Sequence, residues 1–253
     1  MTDTKPTAEA RYPGIHVEYF EAPRRRYAVN GSPAVSVTTA LGILNKPALP
    51  HWSARVTAEG AWKMAHRKGY KMPDTSRQFI DDLKHHGYDH RSQTNAAAGR
   101  GVDVHAVWEN WNSRKEIPNA SDYPEDRRGY IRAMSKFIME HQPACSESEI
   151  VVGSAEHGFA GRLDTVVVMG TQNGPAMIDV KTSKAVYPES HYPQLAGYEL
   201  ARRECGLPPT ERQGILRVGT DGEYEVRWSD AEPEDFLCLL RAWRSQQRWA
   251  RKR

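Results

Sequence analysis

Gly158-Phe-Ala-Gly-Arg-Leu-Asp-Thr-Val-Val-Val-Met169, followed after Gly170-Thr-Gln-Asn-Gly-Pro175 by Ala176-Met-Ile-Asp-Val-Lys-Thr-Ser183, decides how this chain is read. Two apolar runs, Leu163–Met169 and Ala176–Val180, flank a segment of Gly, Asn and Pro, which predicts two paired strands. Asp164 interrupts the first run, and Asp179 and Lys181 flank Val180 in the second. Strand alternation points Asp179 and Lys181 the same way and turns Val180 into the core. Acids and a base inside apolar runs are costly to bury without a purpose.

Working outward, Thr182 and Ser183 leave the second strand as a polar loop suited to phosphate contacts. A helix is predicted over Tyr192–Glu204, ended by Gly206 and Pro208, with Gln194 and Tyr198 on one face. Upstream, Ile150–Val152 is predicted as a strand that hairpins through Glu156-His157-Gly158 into the Asp164 strand. Glu149 and Glu147 stand at its start, and either reads as an upstream acid or as a solvated edge charge. A helix over Ser92–Asn112 carries Gly101-Val-Asp-Val-His105, where His105 is a packing residue or a ligand. Two carboxylates with a lysine are what metal-assisted phosphodiester hydrolysis needs. The acids hold a hard cation, and the lysine orients or deprotonates water.

At these residues the chain resembles the PD-(D/E)xK nuclease superfamily. Asp164 matches its first acid, Asp179 its second and Lys181 the lysine two residues on. Gly101–His105 fits the GxxxH motif of the RecB-like branch, and Gln194-Leu-Ala-Gly-Tyr198 fits its QxxxY helix. That branch includes phage-type exonucleases and the mitochondrial genome maintenance exonuclease. The resemblance is best from Gly99 to Tyr198, with a looser patch from Val35 to Trp52. It implies an α/β fold with a restriction-endonuclease-like core, a mixed central sheet of about five strands between helices, and an N-terminal helical wall. It implies Mg²⁺ or Mn²⁺ held by Asp164, Asp179, His105 and the Val180 carbonyl. Lys181 acts on the water, and Glu149, with Glu147 as its rival, is the upstream catalytic acid. Gln194, Tyr198, Thr182 and Ser183 contact DNA, the QxxxY pair also steadying the site.

The implied activity is exonucleolytic hydrolysis of single-stranded DNA ends. The implied setting is the cytoplasm of a bacterial or phage-infected cell, with recombination, repair or replication proteins as partners. An endonuclease of the same superfamily, a DNA-binding module without activity and an interaction protein with surface acids are the alternatives. Some RecB-like nucleases carry an iron–sulfur cluster on four cysteines; Cys145, Cys205 and Cys238 cannot supply that set.

The three cysteines form no CxxC pair, which argues against zinc and disulfide frameworks. With 253 residues, 39% apolar, one nuclease domain is expected: about 1–14 disordered, 15–95 N-terminal strands and helices, and 96–253 the core with a C-terminal hairpin and helix. A net charge of +3 permits a polyanionic partner without demanding one, and no apolar run reaches membrane-spanning length.

Strands are predicted over Ile15–Phe20 and Arg25–Val29. Helices are predicted over Val37–Leu44 (capped by Ser36), His51–Lys68, Phe79–His86 (capped by Ser76) and Glu125–His141. A hairpin follows over Gln213–Val218 and Glu223–Trp228, then a last helix capped by Asp230 or Ser229. His85, His86 and His90 suit a helix C-terminus better than a metal site. Trp52, Trp62, Trp108 and Trp111, mixed with Arg55, Lys63, Arg67 and Arg100, are compatible with stacking bases in a charged channel. Trp52, Trp62 and Trp108 read more simply as core.

Overall fold

The computed structural model describes residues 5–44, 46, 48–170 and 174–251. The middle of the Gly170–Pro175 turn, residues 171–173, lies outside the described residues. In chain order the elements are β1 (Ala8–Tyr12), β2 (Ile15–Phe20), β3 (Arg26–Val29), β4 (Ser32–Ser36), α1 (Val37–Ala40), α2 (Ala48–Ala65), α3 (Ser76–His85), α4 (His90–Arg114) and α5 (Glu125–His141). There follow β5 (Ala144–Ser148), β6 (Val151–Ser154), β7 (Phe159–Arg162), β8 (Thr165–Val168), β9 (Ala176–Lys181), α6 (Pro188–Glu204), β10 (Arg212–Val218), β11 (Tyr224–Ser229) and α7 (Pro233–Ala250). The chain divides into two compact units, one of residues 1–44 with 104–253 and one of residues 45–103.

The first unit is mixed α/β and holds two mixed sheets, in the orders β1-β2-β3-β4-β7-β6 and β11-β10-β9-β8-β5. The second of these is the five-stranded mixed sheet expected; the first was not foreseen. Its opening strand corrects the expectation of disorder before Ile15. Ala8, Ala10 and Tyr12 alternate with exposed Glu9 and Arg11, and β1 pairs with β2 through a turn in which Gly14 takes φ +76°. Half-buried small residues are enough for a strand whose partner supplies Ile15, Val17 and Tyr19.

Two helical faces close the sheets. Phe137, Ile131, Met134 and Ile138 of α5, with Val104, Val107 and Trp108 of α4, pack on Ile178, Val180, Leu216 and Val218. Leu195, Ala196 and Tyr198 of α6, with Phe236 and Leu240 of α7, pack among Val17, Phe159, Ala160 and Ile215. In β9, Ile178 and Val180 therefore face α5, and Asp179 faces α6. The last helix is capped by Glu232, which exchanges backbone bonds with Asp235, rather than by Asp230 or Ser229. Thr75, not Ser76, caps α3. Pro188 starts α6 four residues earlier than expected.

The path from Phe159 to Met169 is not one strand: β7 ends at Arg162, and the Leu163–Met169 run holds only β8. β7 belongs to the first sheet and β8 to the second, and the chain changes sheets at Leu163-Asp164. Beside it the chain changes sheets again between β5 and β6, at Glu149-Ile150. The two crossings bond to each other: Glu149 N–H donates to the Asp164 carbonyl at 2.9 Å, and Leu163 N–H donates to the Ile150 carbonyl at 3.1 Å. Glu149 sits there at φ +52°, in the left-handed region that a non-glycine residue enters at a cost.

The second unit contains α2, α3 and the first half of α4. Gly60 of α2 lies so close to Tyr88 that an added Cβ would fall 2.0 Å from its carbonyl oxygen. Tyr70 donates to Asp82 at 2.7 Å, tying the loop after α2 to α3.

Candidate active site

The double crossing sets Glu149 and Asp164 side by side, and α4 brings His105 to them. Nδ1 of His105 lies 3.3 Å from Glu149 Oε1, and Nε2 lies 3.7 Å from Asp164 Oδ2. One ligand atom from each of the three lies within 4.8 Å of the others, a group that can hold a metal ion. The other Glu149 oxygen receives Arg162 Nε at 2.8 Å, and the Arg162 guanidinium stands 5.4 Å from the Tyr19 ring.

Neighbouring β9 supplies the rest. Asp164 Oδ2 accepts the Val180 backbone N–H at 2.8 Å, so Val180 acts on the site through its N–H while its side chain stays in the core. Asp179, 2% exposed, accepts Gln194 Nε2 on Oδ1 at 2.9 Å. Its Oδ2 lies 2.5 Å from Lys181 Nζ, so the two side chains share a face. That ion pair with the Lys181 ammonium is the partner of this oxygen. Gln194 also reaches Tyr198 Oη at 3.3 Å. Tyr198 lies against Gly161, where an added Cβ would sit 2.4 Å from Cε1. Both residues of the QxxxY pair are buried, and Gln194 bonds Asp179 directly.

Burial and closely spaced charges shift the ionisation of these groups. Burial, with the Asp179 charge adding to it, pushes the Asp164 carboxyl up to about 7 against the opposing effects of His105, Lys181 and the Val180 N–H. The hydrogen bond that Nδ1–H donates to Glu149 raises the His105 pKa against the opposing effect of burial, with Asp164 adding to the rise. Burial acts to lower Lys181, but Asp179 and Asp164 outweigh it and raise the ammonium above its ordinary value. Burial carries the Tyr198 phenol well above 10.

Of the two rival glutamates, the structure brings Glu149 to the cluster and gives Glu147 other work. Glu147 takes both ends of the Arg202 fork, at 3.1 and 2.7 Å, and Arg202 also bonds Glu199 and the Pro208 carbonyl. Thr182 is half-buried. The Ser183 hydroxyl is spent on the Ala185 carbonyl at 2.7 Å, and the Ser183 carbonyl accepts Arg217 Nε at 3.1 Å. Sequence reading missed Arg162, Arg202 and Arg217. Only Arg162 carried a signal, standing at the end of β7 two residues before Asp164.

The donor set fits a hard divalent cation. His105, Glu149 and Asp164 offer ligand atoms within 4.8 Å of one another, and a buried carboxyl driven towards protonation is relieved by a bound positive charge. No protein-family profile and no curated protein sequence matches the chain. Among solved structures, an alkaline exonuclease from Laribacter hongkongensis is similar at 11% identity and a TM-score of 0.33, covering 80% of this chain and 96% of that one. A likeness so slight carries no argument.

Proposed function

We propose that the chain is a divalent-metal-dependent deoxyribonuclease, an exonuclease that works on single-stranded DNA ends. The observation that carries the reading is the meeting of His105, Glu149 and Asp164 at the double crossing beside Asp179 and Lys181. Mg²⁺ or Mn²⁺ would be held by Asp164, Asp179 and His105, with Glu149 at the rim, and would supply Lewis-acid polarisation of the phosphodiester and a more acidic water.

The chain's own groups do the rest. Gln194 fixes one Asp179 oxygen and so aims the other. The Val180 N–H does the same for Asp164. Lys181, charged beside Asp179, is placed to orient the attacking water and to offset charge that develops on the phosphoryl oxygens. Arg162 holds Glu149 in place from its outer side.

The preference for single-stranded ends, and the setting in a bacterial or phage-infected cytoplasm with recombination, repair or replication partners, rest on the D…DxK, GxxxH and QxxxY resemblance. The test compares linear and circular single-stranded DNA of one sequence, with duplex alongside, in Mg²⁺, in Mn²⁺ and in EDTA. The reading expects mononucleotides from the labelled linear strand only, and none in EDTA. Rapid cutting of the circle would make the chain an endonuclease, and cleavage at full rate in EDTA would remove the metal from the account.

A further inference from the structure

Charge is divided unevenly along the chain. Residues 45–103 hold ten Lys and Arg against six Asp and Glu, whereas the remaining residues hold 25 against 26. The basic excess of the protein therefore belongs to the second unit.

On that unit, α2 displays a large aromatic surface. Trp62 was expected in the core, but it is 68% exposed, because the buried line of this helix runs through Gly60 and Met64 instead. Trp62 and His66 stack with ring centroids 3.8 Å apart and planes 28° from parallel. The Trp62 carbonyl fixes that stack: it accepts both the His66 backbone N–H at 3.1 Å and Nδ1–H of the imidazole at 2.9 Å. Ala58 and Ala65, one turn to either side of Trp62, carry only methyl groups. Arg55, Lys63, Arg67, Lys68 and Lys71 are all exposed, and among the described residues none of them meets a carboxylate at ion-pair distance.

An exposed indole with a locked partner ring, among cations without counter-ions, matches what a single-stranded nucleic acid offers. Such a strand presents flat bases to stack and phosphates to pair, and every base has a π-face, so the platform needs no particular sequence. A duplex hides its base faces. A lipid surface would leave the stacked imidazole without a role.

We infer that Trp62 and His66 form a base-stacking platform, which with the surrounding Lys and Arg holds single-stranded DNA on the second unit. The inference rests on the reading that the substrate is DNA but not on the cleavage chemistry, and its test needs no turnover.

The full chain in EDTA is titrated into fluorescein-labelled dT20, an abasic strand of the same length, a 20-base-pair duplex and anionic phosphatidylserine vesicles. Trp62→Ala should weaken dT20 binding by about 5- to 100-fold, while Trp62→Phe should retain most of it. The abasic strand should bind the wild type weakly and be indifferent to Trp62→Ala. Lys63→Glu should flatten the dependence of affinity on salt. Equal binding of dT20 by Trp62→Ala and wild type, an equal loss on the abasic strand, or Trp62-dependent capture of vesicles with no binding of dT20 would each overturn the inference. Trp62-dependent binding by a protein that cleaves nothing would sink the proposed activity and leave the platform standing. Metal-dependent cleavage with Trp62→Ala silent in binding would do the reverse.

Discussion

Replacing Asp164 with Asn should stabilise the metal-free protein at neutral pH. Asp164 is the residue whose ionisation the fold resists most plainly, with a carboxyl pushed from 3.8 to about 7 by burial and by Asp179. The folded state therefore keeps a proton that the unfolded chain releases near pH 4. Stability from this group is fully present below pH 4 and is lost as pH rises through 7. At 1.36 kcal/mol per pH unit the full loss is about 4 kcal/mol above pH 7. The side chain keeps 17% exposure, so water relieves part of that penalty, and a gain of about 2–4 kcal/mol is expected. The opposing attractions of His105 and Lys181 are already contained in the raised value. Asn preserves the acceptor for the Val180 N–H, so the substitution chiefly removes charge. In a chain of this size, the melting temperature in EDTA at pH 8 should rise by about 5–12 °C. The gain should shrink towards pH 5 and vanish near pH 4. Melts of both proteins from pH 4 to 8.5 in EDTA, repeated in millimolar Mn²⁺, measure this directly, and Mn²⁺ should stabilise the wild type far more than the variant. A variant less stable than wild type at pH 8 in EDTA, or a difference that ignores pH, would refute the reasoning.

Gln194→Ala removes the donor to a buried carboxylate and should cost about 1.5–3 kcal/mol in a denaturant titration as well as turnover; Tyr198→Phe should keep stability within about 1 kcal/mol. The two glutamates should separate cleanly. Glu147→Ala leaves Arg202, 1% exposed, with Glu199 and the Pro208 carbonyl as its remaining partners and should cost about 1.5–3 kcal/mol of stability, whereas Glu149→Gln should weaken Mn²⁺ binding by calorimetry with little change in melting. Gly161→Ala should abolish the fit of Tyr198 behind Asp179, visible as a loss of both melting temperature and cleavage.

What was legible in the sequence was whatever a short apolar run announces. β9 is bounded by turn residues and fully apolar apart from its acid and its lysine, so Asp179 and Lys181 could be assigned to one face. Gln194 and Tyr198 share a helix face by spacing alone; their burial does not follow from spacing, because it depends on Gly161 across the sheet. The change of sheet at Asp164 was hidden, since β7 and β8 are both mostly buried and read as one continuous run. β5 was invisible: Ser146, Glu147 and Ser148 look like a loop until Arg202, 55 residues on, neutralises Glu147. Glu149 at φ +52° carries no glycine to mark the bend. Trp62 misled because α2 has only Gly60 and Met64 fully buried, too few for a stripe from which an outward face could be read.

The claim that one divalent cation belongs among His105, Glu149, Asp164 and Asp179 is tested most directly by anomalous diffraction from crystals soaked in Mn²⁺. The account predicts a single strong peak in contact with Asp164 and Asp179, with the His105 imidazole turned towards it and Lys181 alongside. A peak elsewhere, or a saturating soak that leaves the Asp179 oxygen facing Lys181 alone, would contradict it.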